Sequence, residues 1–73
     1  METWGDHLLS LAVESALANE PELQGTHIEV EVCQGVVTLN GIVRTMAQRE
    51  RATFVADNFG GVTELRNALQ ISP

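Results

Sequence analysis

The stretch GVVTLNGIV, residues 35–43, decides the fold. Val37, Leu39 and Val43 recur on one parity while Thr38 and Asn40 stand on the other, the two-residue period of a β-strand with one buried face. Gly41 shares the inward parity, where a missing side chain lets a helix approach closely or marks a bulge that curves the strand. Gly35 is the residue best able to take a positive φ, so Gln34-Gly35 reads as a tight turn. Upstream of it, His27 to Cys33 alternates in the same way, with Ile28, Val30 and Val32 on one side and His27, Glu29, Glu31 and Cys33 on the other. Two alternating runs joined by a two-residue turn predict an antiparallel hairpin.

Helical periodicity flanks this hairpin. From about Asp6 to Asn19, Leu8, Leu9, Leu11, Ala12, Val13, Ala16 and Leu17 form a broad apolar arc, leaving His7, Ser10, Glu14 and Ala18 on the narrow remainder. Asp6 is placed to cap the helix and Pro21 to stop it. So wide an arc predicts contact with both a sheet and a second helix. That second helix runs from Met46 to about Phe59, with Thr45 as cap, Gln48 completing a capping box, and Ala52, Val55, Ala56 and Phe59 on the buried side. Gly60-Gly61 ends it, and a third strand covers roughly Val62 to Ile71 with Leu65, Leu69 and Ile71 on one parity. Asn67 shares that inward parity, so it requires hydrogen-bond partners, expected among backbone groups near a helix end or the preceding loop.

The order helix, strand, strand, helix, strand defines an α+β fold: an αββαβ open-faced sandwich with two helices on one face of a three-stranded mixed sheet. The second helix returns the chain across the sheet, making strand three parallel to strand two in a right-handed crossover. Adjacent order 1-2-3 is preferred, with strand three beside strand one left open. The uncovered face would show Val36, Thr38, Asn40 and Ile42 beside Glu29, Glu31 and Arg66.

The 73 residues make one domain, and a chain this short hides only about 60% of the surface its unfolded form exposes. Residues 8–71 are assigned to the domain, 1–7 to an N-terminal extension and helix start, and 72–73 to a tail. One cysteine and two histidines permit neither an internal disulfide nor a typical structural zinc site, so stability must come from packing and no metal or cofactor is expected. The first helical segment lacks a basic leader and is interrupted by Ser10, Glu14 and Ser15, so it reads as neither a signal peptide nor a membrane span. A fragment of a longer secreted protein would look the same.

The formal net charge is −6 and is unevenly distributed: residues 1–43 hold seven acids and no Arg or Lys, whereas residues 44–73 hold four arginines against three acids. Only the second part could approach phosphate groups. Nucleic acid is a poor fit, because the open face offers no aromatic ladder and acids flank it.

Nor does the sequence assemble an active site. His27 and Cys33 share a strand parity but lie about 20 Å apart along extended chain, too far for a nucleophile pair. Glu29 and Glu31 form a solvated rim rather than an acid/base pair or calcium site. The glycines are scattered and lack the lysine of a phosphate loop.

These residues resemble the BON domain, the bacterial module named for osmotically inducible and nodulation-associated proteins. The resemblance runs from about residue 8 to 71, through Val13 and Ala16-Leu17, then Ile28, Val30 and Val32. It is clearest in Gly35-Val36-Val37-Thr38-Leu39-Asn40-Gly41-Ile42-Val43, then passes through Arg49, Ala52 and Ala56 to Gly61-Val62, Leu65, Asn67, Leu69 and Ile71. Cys33-Gln34 departs from the pattern, where Asn or Asp before the glycine is more typical. The resemblance implies an αββαβ, non-catalytic binding module that attaches a parent protein to phospholipid membranes or an envelope assembly, in the bacterial periplasm or at a membrane. The missing leader leaves the cytoplasm open. The alternative is a protein-interaction or self-association module without direct lipid contact, and the oligomeric state stays open.

Within this frame Gly35, Leu39, Gly41, Ala52, Ala56, Gly61 and Asn67 are structural candidates. Arg49, Arg51 and Phe54 are the candidates for lipid or partner contact. Phe54 lies well off the centre of the buried side of its helix with Arg51 on its flank, so an aromatic ring could enter a lipid interface while the guanidinium meets a phosphate. The competing reading closes the core against helix one with Phe54. Trp4 reads either as an anchor for the N-terminus or as the end of a linker.

Overall fold

The computed structural model describes residues 4–72, apart from the side chain of Trp4, so the expectations for that side chain lie outside the described residues. The elements follow in the order α1 (Trp4–Ala18), a 3-10 turn (Pro21–Leu23), β1 (His27–Cys33), β2 (Val36–Val43), α2 (Met46–Asp57) and β3 (Glu64–Ile71). The sheet order is β1-β2-β3, which settles the choice in favour of strand three beside strand two. β1 is antiparallel to β2 with Val30 opposite Leu39, and β3 is parallel to β2 with Asn67 opposite Leu39. Two helices on one face of a three-stranded mixed sheet is the architecture that the alternation of periods implied.

Leu39 lies at the centre of this arrangement. It is 0% exposed, as are Val13 of α1, Val37 and Val43 of β2, and Ala52 and Ala56 of α2. The two alanines present no bulk where α2 crosses the sheet, so its backbone can approach closely. Gly41 serves a different close approach from the helix contact considered above. Its φ is +135°, and an added Cβ would lie 1.9 Å from the backbone oxygen of His27. The neighbour that requires glycine is β1, not a helix.

Asp6 is a correction with a physical reason. It is not a cap: α1 starts two residues earlier, and Asp6 lies in its first turn only 6% exposed. Its carboxylate oxygens accept the backbone N–H groups of Gln34 at 2.8 Å and Gly35 at 3.2 Å. Both turn residues have positive φ, 52° and 82°, the type I′ pattern in which Gln is less comfortable than Asn or Asp. The departure at Gln34 is therefore accompanied by a carboxylate that grips the turn. Replacing Asp6 with Ala leaves two N–H groups without this acceptor and should cost about 1–3 kcal/mol. A urea melt that shows less than a few tenths would contradict the clamp.

The breadth of the apolar arc on α1 misled in a second way. Leu9, Val13, Ala16 and Leu17 turn inward, but Leu8 is 61% and Leu11 50% exposed, and Ala12 is also exposed. One small sheet and one short helix cover a single side of α1. The end of α1 comes at Ala18 rather than Asn19, and Pro21 opens the 3-10 turn.

Thr45 caps α2, its hydroxyl accepting from the N–H of Gln48 at 3.1 Å. Gln48 reaches back to accept from Arg44 N–H at 2.7 Å, one residue before the cap, and donates to the Glu22 carbonyl at 3.2 Å. α2 ends at Asp57, two residues short of Phe59, and β3 begins at Glu64 rather than Val62. Between them, Thr63 N–H donates to the Gly35 carbonyl at 2.8 Å. That bond fixes the start of β3 against the hairpin turn.

Candidate functional site

Phe54 and Arg51 are brought together on α2. The Arg51 guanidinium carbon lies 5.2 Å from the centroid of the Phe54 ring, within cation–π range. Phe54 is 58% exposed, on the side of α2 opposite Ala52 and Ala56, and so does not close the core. Arg51 is less available. Its Nη2 donates to Glu20 at 3.3 Å, and its Nε lies 3.3 Å from one carboxylate oxygen each of Glu20 and Glu22. The Nε–H is aligned with neither of those oxygens, so that attraction is Coulombic without a formed hydrogen bond. These two acids, on and beside the 3-10 turn, were not singled out in the sequence. Only tertiary folding brings them under α2.

Arg49 faces another way. It lies five positions before Phe54, a rotation of about 140°, and its Nε donates to Asn67 Oδ1 at 3.3 Å. Asn67 uses its whole hydrogen-bonding capacity. Its Nδ2 donates to the Arg49 carbonyl at 3.2 Å and to Thr53 Oγ1, while Oδ1 also accepts from Leu69 N–H at 3.0 Å. Thr53 Oγ1 in turn donates to the Arg49 carbonyl at 3.2 Å. The partners of Asn67 thus lie in the middle of α2 and on its own strand, not at a helix end or in the preceding loop. Arg66 is held on the sheet by Glu64 at 2.6 Å.

The outer side of α1 is correspondingly apolar, whereas on the outer side of α2 Phe54 stands between Arg51 and the exposed acids Glu50 and Asp57. Leu8 and Leu11 lie on the side of α1 opposite Val13 and Leu17 with Ala12 beside them, and Phe54 occupies the equivalent outer side of α2. On an ideal wheel no acid or base lies between Leu8, Leu11, Ala12 and Ser15. The signal in the sequence was present but ambiguous: an apolar arc too wide for one small partner leaves leucines outside.

The open sheet face carries no chemistry of its own. His27 Nε2 approaches Glu29 at 3.4 Å with both side chains in solvent, and Cys33 is exposed at the other end of β1. Among the described residues no three His, Cys, Asp or Glu side chains are grouped to hold a metal. No described helix is long and apolar enough to cross a membrane.

The comparison with known proteins agrees with this architecture. The model of the BON domain matches residues 5–73. Osmotically-inducible protein Y of Escherichia coli is 36% identical over 66 residues, an overlap covering 90% of this chain and 33% of that protein. The chain therefore spans about a third of the length of this curated relative. With the family model spanning residues 5–73 and a relative 36% identical over 90% of the chain, the chain belongs to the BON domain family.

Proposed function

We propose that this non-enzymatic BON domain attaches its parent protein to a phospholipid surface of the bacterial envelope through the outer side of its helical layer. The observation that carries the reading is the exposure of Leu8 and Leu11, 61% and 50%, on the side of α1 turned away from the core. Phe54 on α2 adds one exposed aromatic ring, with Arg51 on one flank and Glu50 and Asp57 on the other. Each such side chain contributes about 1.5–3 kcal/mol when fully buried, and interfacial burial is partial, so attachment by one copy is weak and reversible. Electrostatics add little. The net charge is −6, Arg51 is already matched by Glu20 and Glu22, and Arg49 is engaged with Asn67.

Flotation with phosphatidylcholine vesicles, with and without phosphatidylglycerol, tests this reading. Partition should be measurable on both and only modestly salt-dependent, and the Leu8→Ser/Leu11→Ser variant should lose about tenfold or more. No partition at high lipid and low salt, or partition indifferent to the double substitution, would reject it. The neutralisation of Arg51 by two carboxylates favours a second reading, in which the same outer surface docks on a protein of the envelope assembly. That reading predicts loss of assembly, without vesicle binding, in the double variant.

A further inference from the structure

β3 is an edge strand, so alternate backbone groups along it have no ladder partner. Ser72 N–H donates to the Val43 carbonyl at 2.8 Å. With the register unbroken through Val43 opposite Ile71, the even-numbered N–H groups here turn toward β2, and those of Leu69 and Ile71 turn outward. The outer half of this edge, Asn67-Ala68-Leu69-Gln70-Ile71-Ser72, carries no charge and no proline. Such an edge is a template for another strand. The β1 edge differs: in an antiparallel pair centred on Val30, Glu29 would face Glu31 of the second copy, and like charges directly opposite one another disfavour pairing.

One detail closes the uncharged edge. In an antiparallel pair of β3 strands centred on Leu69, the two Leu69 residues would exchange N–H and carbonyl bonds, while Ala68 would face Gln70 and Asn67 would face Ile71 of the second copy. No charge opposes that register. The N–H it requires first, that of Leu69, is already held by Asn67 Oδ1 at 3.0 Å. The carboxamide is itself locked from behind by Arg49 and Thr53 of α2. From this we infer that Asn67 guards the β3 edge against strand addition by a second copy of the chain, with α2 holding the guard in place.

Sedimentation velocity over a concentration series, with circular dichroism to establish folding, tests the guard. Asn67→Ala should keep the αββαβ signature but rise in mass with concentration toward twice that of the parent chain. Adding Ala68→Lys and Gln70→Lys to it, both on the exposed sheet face, sets lysines opposite one another in that register and should return the mass to the parent's. An Asn67→Ala chain that sediments as the parent does, or whose association ignores the lysines, would overturn the inference. Should Asn67→Ala not fold, amide hydrogen exchange on the parent chain decides. Leu69 N–H should exchange at least about tenfold more slowly than the equally outward Ile71 N–H, and equal rates would reject the guard.

Discussion

Replacing Leu39 with Ala should lower the stability of the domain by about 2–5 kcal/mol. Leu39 is 0% exposed, sits on the middle strand, and faces Val30 on one side and Asn67 on the other. Truncation removes its transfer free energy and leaves a cavity that β2, hydrogen-bonded between β1 and β3, closes only in part. Domains of this size have about 5–15 kcal/mol in total at most, so the loss would be a large share of the whole. Thr38→Ala, one residue earlier on the half-exposed opposite face, should cost clearly less. Parallel urea melts order the two, and an equal or larger loss for Thr38→Ala would contradict the register of β2 and the placement of both helices.

Gly41→Ala should be at least as damaging, by another route. The new Cβ would meet the His27 backbone oxygen at 1.9 Å, its carbonyl carbon at 2.9 Å and Ile28 Cα at 3.1 Å. All three belong to the β1 backbone, so no side chain can swing aside and the hairpin itself must part. The φ of +135° adds backbone strain of about 1–3 kcal/mol for an L residue before the overlap is counted. Gly60→Ala is the control. Nothing lies within 4 Å of its Cβ position, and it is not among the residues of positive φ, so it should change stability by less than about 1 kcal/mol. Matching melts for the two variants would contradict the pairing of Ile28 with Gly41.

What could be read in advance follows the range of the forces involved. The two-residue alternation of β1, β2 and β3 and the cap at Thr45 are local, and they placed the strands to within two residues, whereas the position of strand three beside strand two rather than strand one came only with the fold. Position within an apolar arc is not local. Leu8 and Leu9 are equally hydrophobic, and only the size of what packs against α1 decides that Leu9 goes in and Leu8 stays out. Asp6 satisfied a capping rule that weighs a residue against its own helix, whereas the donors it serves lie 28 and 29 residues away in sequence. Asn67 was recognisable as a polar group facing inward, but its partners on the middle of α2 became visible only with the fold. The same holds for Arg51, whose charge was legible and whose neutralisation by Glu20 and Glu22 was not.

The proposed attachment rests on which face of the domain meets the lipid, and amide-resolved NMR with nanodiscs containing a paramagnetic lipid measures that directly. Attachment through the outer side of α1 predicts the strongest line broadening at Leu8, Leu11 and Ala12 with a weaker effect around Phe54, and little change at Thr38, Asn40 and Ala68 on the open sheet. Broadening concentrated on that sheet face, or none anywhere at saturating nanodisc, would contradict it.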